Sequence, residues 1–224
     1  MALPKKDTIK KIKAQSLSSA VCLQLEELIL SGQIKPGERI NESRLSSQLG
    51  ISRAPIREAC RQLERFGMVN IRVNKGAFVS KIDVNEIREL YDIRAALDSL
   101  AGENAAKNAT RKDLAELGQY LQEMKKAVDA NNVREHYLAN LEFHMKIIRL
   151  SRNQNLLAII EGVYKKASLF RKTSLSLPGR LLISYRQHKD IIGAIQAGDP
   201  LKTSKLLMQH IMDAKHTLLA SLEK

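Results

Sequence analysis

Of five histidines in a chain of 224 residues, three are spaced as metal ligands could be. The stretch from Tyr137 to Ile148, YLANLEFHMKII, reads as a helix with Leu138, Leu141, Met145 and Ile148 recurring along one side. His144 falls near that stripe, one turn after Asn140, so imidazole and amide share a face. His188 and His210 stand 11 residues before and 11 after Asp199, in the turn AGDP between two helical stretches. If those helices fold back antiparallel, the two imidazoles meet at one height. His144 from a third helix would complete a three-imidazole cluster, with the Asn140 side-chain oxygen as a fourth group. Neutral imidazoles are good ligands for zinc, nickel and similar ions. The competing reading is three core histidines, each satisfied by a hydrogen bond. His136 and His216 fit the cluster less well, being rotated onto other faces, and read as surface or structural residues.

A second set of residues suits a polyanion. In SRAPIREACRQLERFG, Ile56, Ala59, Cys60 and Leu63 share one helical face, while Arg53, Arg57 and Arg61 recur every four residues on the opposite side. Arginines in the first turns of a helix that comes after a short helix and a tight turn suit insertion into a DNA major groove. A solvated arginine face, paired with Glu58 and Glu64, is the plainer alternative. The next stretch of chain favours DNA. MVNIRVNKGAFVS alternates apolar and polar residues and turns at Asn74-Lys75-Gly76, which predicts a β-hairpin with Lys75 at its tip, near a phosphate backbone.

The elements that must position these residues are mostly helical. A lysine-rich arm is expected over residues 1–16 and a winged helix-turn-helix over 17–80. Its first helix spans about 17–31, with Leu17, Val21, Leu25 and Leu28 on one face. Asn41 would cap the second helix, with Leu45 and Leu49 inward and Gly50 closing it, and Ser52 would cap the third. After a junction at SKID, the apolar period predicts six helices within 84–222 and almost no strand, an all-α bundle able to hold a cavity. The fold class is therefore mainly α: a winged helix-turn-helix, then an all-α six-helix bundle.

Composition agrees. Residues 1–80 hold 14 Lys and Arg against 7 Asp and Glu, and residues 81–224 hold 23 against 17, so positive charge is denser in the first third. The two cysteines, Cys22 and Cys60, form no CxxC pair, no apolar run is long enough to cross a bilayer, and the first 16 residues have no signal-peptide core. The expected setting is the cytoplasm, without membrane attachment. No HExxH or nucleophile elbow accompanies the histidines, so a metal-dependent hydrolase is a distant alternative and the chain does not read as an enzyme.

The run GQIKPGERINESRLSSQLGISRAPIREACRQLERFGMV with NKGAFV resembles the DNA-binding domain of GntR-family bacterial transcription regulators. The resemblance implies DNA contacts from Ser52, Arg53 and Arg57, with Gly76 where the wing approaches the minor groove. Ser43 stands where some members carry a DNA-contacting arginine, and Ala54 replaces a hydroxyl residue. Further on, LYDIRAALDSLAGENAA, NLEFHMKIIRLSRNQNLL, PGRLLISYRQHKDIIGAI and AGDPLKTSKLLMQHI resemble the FCD effector domain of the FadR subfamily, and six helices suggest its VanR-like branch. Many members bind a divalent metal through one acid and three histidines. His144, His188 and His210 match the histidines, and Asn140 replaces the acid. Arg94 matches an arginine that often faces the effector cavity, although an ion pair with Asp98 is the alternative. The implied protein is a homodimeric regulator, most simply a repressor, that binds a palindromic duplex operator and responds to a small organic acid held beside zinc or nickel. A regulator that senses the metal itself is the second reading.

Overall fold

Where glycine or a short polar residue interrupts the helical period, an element ends, and these punctuation points set the whole architecture. The computed structural model describes residues 6–81 and 83–222, with side chains from residue 17 onward except those at 82, 172 and 173. The chain divides into two units, Met1–Ile82 and Asp83–Lys224, with the break inside the expected SKID junction.

The first unit contains α1 (Lys6–Leu30), α2 (Glu42–Leu49), α3 (Arg53–Arg65), β1 (Val69–Arg72) and β2 (Gly76–Val79). The strands pair antiparallel, Val69 opposite Val79 and Arg72 opposite Gly76, so the predicted hairpin turns through Val73, Asn74 and Lys75. Asn74 and Gly76 both have positive φ, 59° and 93°, the conformation that asparagine and glycine tolerate best. Asn41 accepts the Arg44 amide as expected, and Gly50 closes α2 in the left-handed region.

Four local expectations change. The arm expected over 1–16 is helical from Lys6 onward, because no glycine or proline stands between Pro4 and Gly32 to stop the helix; residues 1–5 lie outside the described residues. The buried face of α1 is Ser18, Val21, Cys22, Leu25 and Ile29, with Leu17 at 39% exposure. On the short α2 only Leu45 is buried, and Leu49 is exposed. Ser52 occupies the N-cap position of α3, but its side chain makes no capping bond.

The second unit is six helices: α4 (Val84–Asn108), α5 (Arg111–Asp129), α6 (Val133–Leu150), α7 (Gln154–Leu175), α8 (Arg180–Gln196) and α9 (Pro200–Leu222). Asp83 caps α4 by accepting the Asn85 and Glu86 amides. Thr110 and Asp113 form a reciprocal capping box at the start of α5. Ala101, Phe143, Ile147, Ile160, Ile191 and Leu207 build the core from five of these helices. Helices α4 and α9 approach closely at Gly102 of α4, where an added Cβ would stand 2.2 Å from a methyl carbon of Leu207 on α9. Among the described residues, no helix is long and apolar enough to cross a membrane.

Candidate functional site

The face of α6 that turns inward is His136, Asn140, Phe143, His144 and Ile147, so the histidine lies at the centre of the buried stripe. Leu138, expected on that stripe, is 43% exposed. His188 on α8 and His210 on α9 come together across the turn as the spacing predicts, with ring centroids 4.5 Å apart. All three imidazoles are buried.

Their hydrogen bonds fix which nitrogen faces which way. The Nδ1 of His144 is 3.1 Å from Oδ1 of Asp98. The Nδ1 of His188 is 2.6 Å from the Ser184 carbonyl oxygen. The Nδ1 of His210 is 2.8 Å from Oε1 of Gln187, whose amide is oriented by donating its Nε2 to Asp213 at 2.6 Å. Each acceptor holds a proton on Nδ1, leaving the Nε2 lone pair unprotonated. These lone pairs converge: Nε2 of His144 is 3.3 Å from Nε2 of His188 and 3.3 Å from Nε2 of His210. Burial drives all three pKa values down, His188 to about 3, and the neighbouring imidazoles and arginines add to the effect. Neutral rings with converging lone pairs are what a metal ion requires. Two nitrogens ~2.0–2.1 Å from one tetrahedral zinc stand about 3.3–3.4 Å apart, so the observed separations fit.

Asn140 is buried in the same place, but it is Nδ2, not the expected oxygen, that faces Nε2 of His188 at 3.2 Å. Turning the amide over presents Oδ1 there instead. His136, expected at the surface or in a structural role, is fully buried, with Nε2 3.1 Å from the Ser184 hydroxyl. His216 is exposed.

Arg94 lies between an acid and a cavity. Its Nε is 3.6 Å from Oδ2 of Asp98, each side chain being almost wholly buried, and it also lines a small cavity beside the cluster. Asp98 itself was legible only as the i+4 partner of Arg94. Here it joins Arg94, His144 and the Tyr164 hydroxyl, a convergence of α4, α6 and α7 that spacing along one helix does not reveal. Two further buried arginines, Arg171 and Arg180, line the same cavity and carried no sequence signal.

In the first unit, the first turns of α3, the start of α2 and the hairpin bound a groove of about 590 Å³. Ser43, Arg53, Arg57 and Gly76 line it, joined by Arg39, Arg61 and Arg72. Arg53 and Arg57 are exposed, although Nε of Arg57 is held 2.7 Å from Oε2 of Glu42. Gly76 matters for space as well as for φ, since a Cβ there would stand 3.2 Å from Nε of Arg39. Arg72 rests over the Phe78 ring at 4.7 Å. Ser52 and Lys75 are exposed but do not line the groove. Arg39 escaped notice because it lies outside the helix whose arginine spacing drew attention.

Comparison with known proteins agrees with this two-part arrangement. Residues 17–79 match the bacterial regulatory proteins of the gntR family, and residues 89–213 match the FCD domain. The chain is 30% identical to the HTH-type transcriptional regulator YdhC of Bacillus subtilis (strain 168), over 84% of this chain and 83% of that one. It is also 30% identical to the Nta operon transcriptional regulator of Aminobacter aminovorans, over 82% of this chain and 86% of the relative. Among solved structures, E. coli McbR/YncC superposes with a TM-score of 0.80 at 24% identity, covering 93% of this chain and 99% of that one. The metal-free FCD domain of TM0439 superposes with a TM-score of 0.53 at 23% identity, covering 64% of this chain and 99% of that domain. The fold is thus a winged helix-turn-helix followed by an all-helical FCD domain. The chain belongs to the gntR family of bacterial transcription regulators, a family of DNA-binding proteins and not of enzymes.

Proposed function

We propose that the protein is a homodimeric transcription repressor of the cytoplasm, in the six-helix, VanR-like branch of the FadR subfamily, that releases a palindromic operator when a small organic acid binds its FCD domain. The carrying observation is the pairing of the arginine-lined groove with a buried cluster of three neutral histidines beside Arg94. Arg53 and Arg57 would enter the major groove, with Ser43 and Ser52 beside them. Lys75 and Gly76 would follow the backbone at the wing. Exposed apolar residues spaced by seven, Ile93 and Leu100 on α4 and Leu201 and Met208 on α9, favour a helical surface that a second copy covers.

His144, His188 and His210 would hold a divalent ion, zinc or nickel, with Asn140 turned to offer its oxygen. The bound ion would supply positive charge and an open position for a carboxylate. Because Asn140 contributes no negative charge, the site favours an anion from outside the protein. Arg94, steadied by Asp98, would pair with that anion. Coupling to DNA requires only that the acid bind one arrangement of the dimer better than another. The histidine cluster also supports a second reading, in which the metal alone is the signal.

Two measurements test this. Anisotropy titrations with duplexes selected from a random pool are expected to give palindromic sites and an affinity that falls steeply with salt. Binding to no duplex, or binding indifferent to salt, overturns the regulator. Elemental analysis of untagged protein should find stoichiometric metal in the wild type and none in His188→Ala. No metal in either removes the ion from the mechanism. Chelation that abolishes or restores operator binding with no acid present would favour the metal as signal.

A further inference from the structure

The small cavity beside the histidine cluster is crowded with hydrogen-bond donors that have nothing to donate to. Arg171 is 4% exposed, and its Nε, Nη1 and Nη2 have no hydrogen-bond partner among the described residues. The Nε of Arg180, the hydroxyl of Ser174 and the hydroxyl of Tyr91 are likewise buried and unpaired. All four side chains line one cavity, together with Arg94. Buried donors are nearly always satisfied, because leaving one unpaired costs its full desolvation. Six such atoms around one space therefore describe the partner that belongs there.

The charge balance gives that partner's sign. Three buried guanidinium groups, Arg94, Arg171 and Arg180, face a single buried carboxylate, Asp98. Asp98 supplies at most one negative charge. Asp213 does not line the cavity but bears on Arg180, while its two oxygens accept from the amides of Gln187 and Gln209. With both acids counted, the three guanidinium groups still outnumber the negative charges, and a divalent ion on the histidines would widen the gap.

Resting on the acid-effector reading above, we propose that this pocket recognises a compact dianion through Arg171 and Arg180, with Ser174 and Tyr91 donating to its oxygens. A single carboxylate offers about four acceptor sites, too few for the unpaired donors around this cavity. The cavity measures about 20 Å³, space for roughly one water molecule. The Arg171 guanidinium, lying 4.2 Å over the Tyr164 ring, must therefore shift to admit the ligand. Binding is thereby tied to a rearrangement of α7 side chains against α8 and α9.

The test is calorimetry on the full-length protein, metal-loaded and chelator-treated, at fixed ionic strength. The probes are malonate, succinate and inorganic phosphate, with monomethyl malonate and monomethyl succinate as singly charged counterparts. A dianion is expected to bind at least tenfold more tightly than a half-ester, and this preference should vanish in Arg171→Met and in Arg180→Met. Ligand-free Arg171→Met should also melt at a higher temperature than the wild type, because it loses a buried unpaired charge; a merely structural arginine would give a lower one. Half-esters binding as tightly as the dianions would overturn the dianion assignment and leave the acid-effector reading standing. Preference retained in both variants would overturn the role of the two arginines. Failure of every probe to bind would remove both this proposal and the acid-effector reading.

Discussion

On the proposed reading, Arg57 would enter DNA binding with a partner already in hand. Its Nε is 2.7 Å from Oε2 of Glu42, and the same acid borders the groove that would receive a phosphate. To grip DNA, the guanidinium must give up that pair or drag a carboxylate toward the phosphates. Glu42→Gln removes the competing charge without changing shape, so operator affinity should rise several-fold. Arg53 has no ion pair among those found in the described residues, so Arg53→Ala should weaken all duplexes and lower the salt slope by about 0.9 for each phosphate that the arginine neutralises. Anisotropy titrations at several salt concentrations read both effects. Unchanged affinity in Glu42→Gln would mean that Arg57 keeps its intramolecular pair when DNA is bound. Cys60, on the inward face of α3, is buried, and burial pushes its thiol up to about 12, which keeps it protonated and unreactive.

At the level of elements, the helix boundaries were readable because their causes are local. Gly50, Asp83, Thr110, Asn132 and Asp199 act within a turn of where they stand, and Asp199 lying midway between His188 and His210 gave the pairing of α8 and α9. Arg171, Arg180 and the second role of Asp98 were not readable. Their environment is made by residues far along the chain on other helices, and a lone arginine in a helical period looks the same whether it faces water or the core. Likewise, the apolar stripe of α6 through Leu138 is displaced by one step, because packing buries the polar residues His136, Asn140 and His144. The glycines carry an element-scale prediction of the same kind. Gly102→Ala drives a methyl into Leu207 where α4 crosses α9, and the overpacking should cost about 1–3 kcal/mol. Gly118 lies in the middle of α5, where an added Cβ meets nothing within 4 Å. Gly118→Ala should therefore stabilise by about 0.5–1 kcal/mol through helix propensity alone. Urea melts of the two variants should move in opposite directions. Equal shifts would mean that α4 and α9 do not approach each other so closely.

For the molecule as a whole, burying a histidine that binds no proton makes stability depend on pH. His136 lies outside the three-histidine cluster, and burial lowers its pKa from 6.5 to about 4. Between those two values the unfolded chain takes up a proton there and the folded chain does not. Acid therefore favours unfolding: the stabilisation is whole above pH 6.5, declines as pH falls toward 4, and then levels off. At pH 5 the linkage amounts to about 2 kcal/mol from this residue alone. His136→Gln keeps a polar group opposite the Ser184 hydroxyl, which His136 meets at 3.1 Å, but has nothing to titrate. Urea unfolding at pH 7.5 and at pH 5 should show the variant losing less stability than the wild type, by roughly that amount. Differences between the two pH values remove whatever the Gln substitution costs in packing, and also the titration of carboxylates common to both proteins. Identical losses would mean that His136 is already protonated in the folded state. Its burial against Ser184, on the helix turn that holds His188, would then have to accommodate a charge that this pocket of arginines is poorly placed to accept.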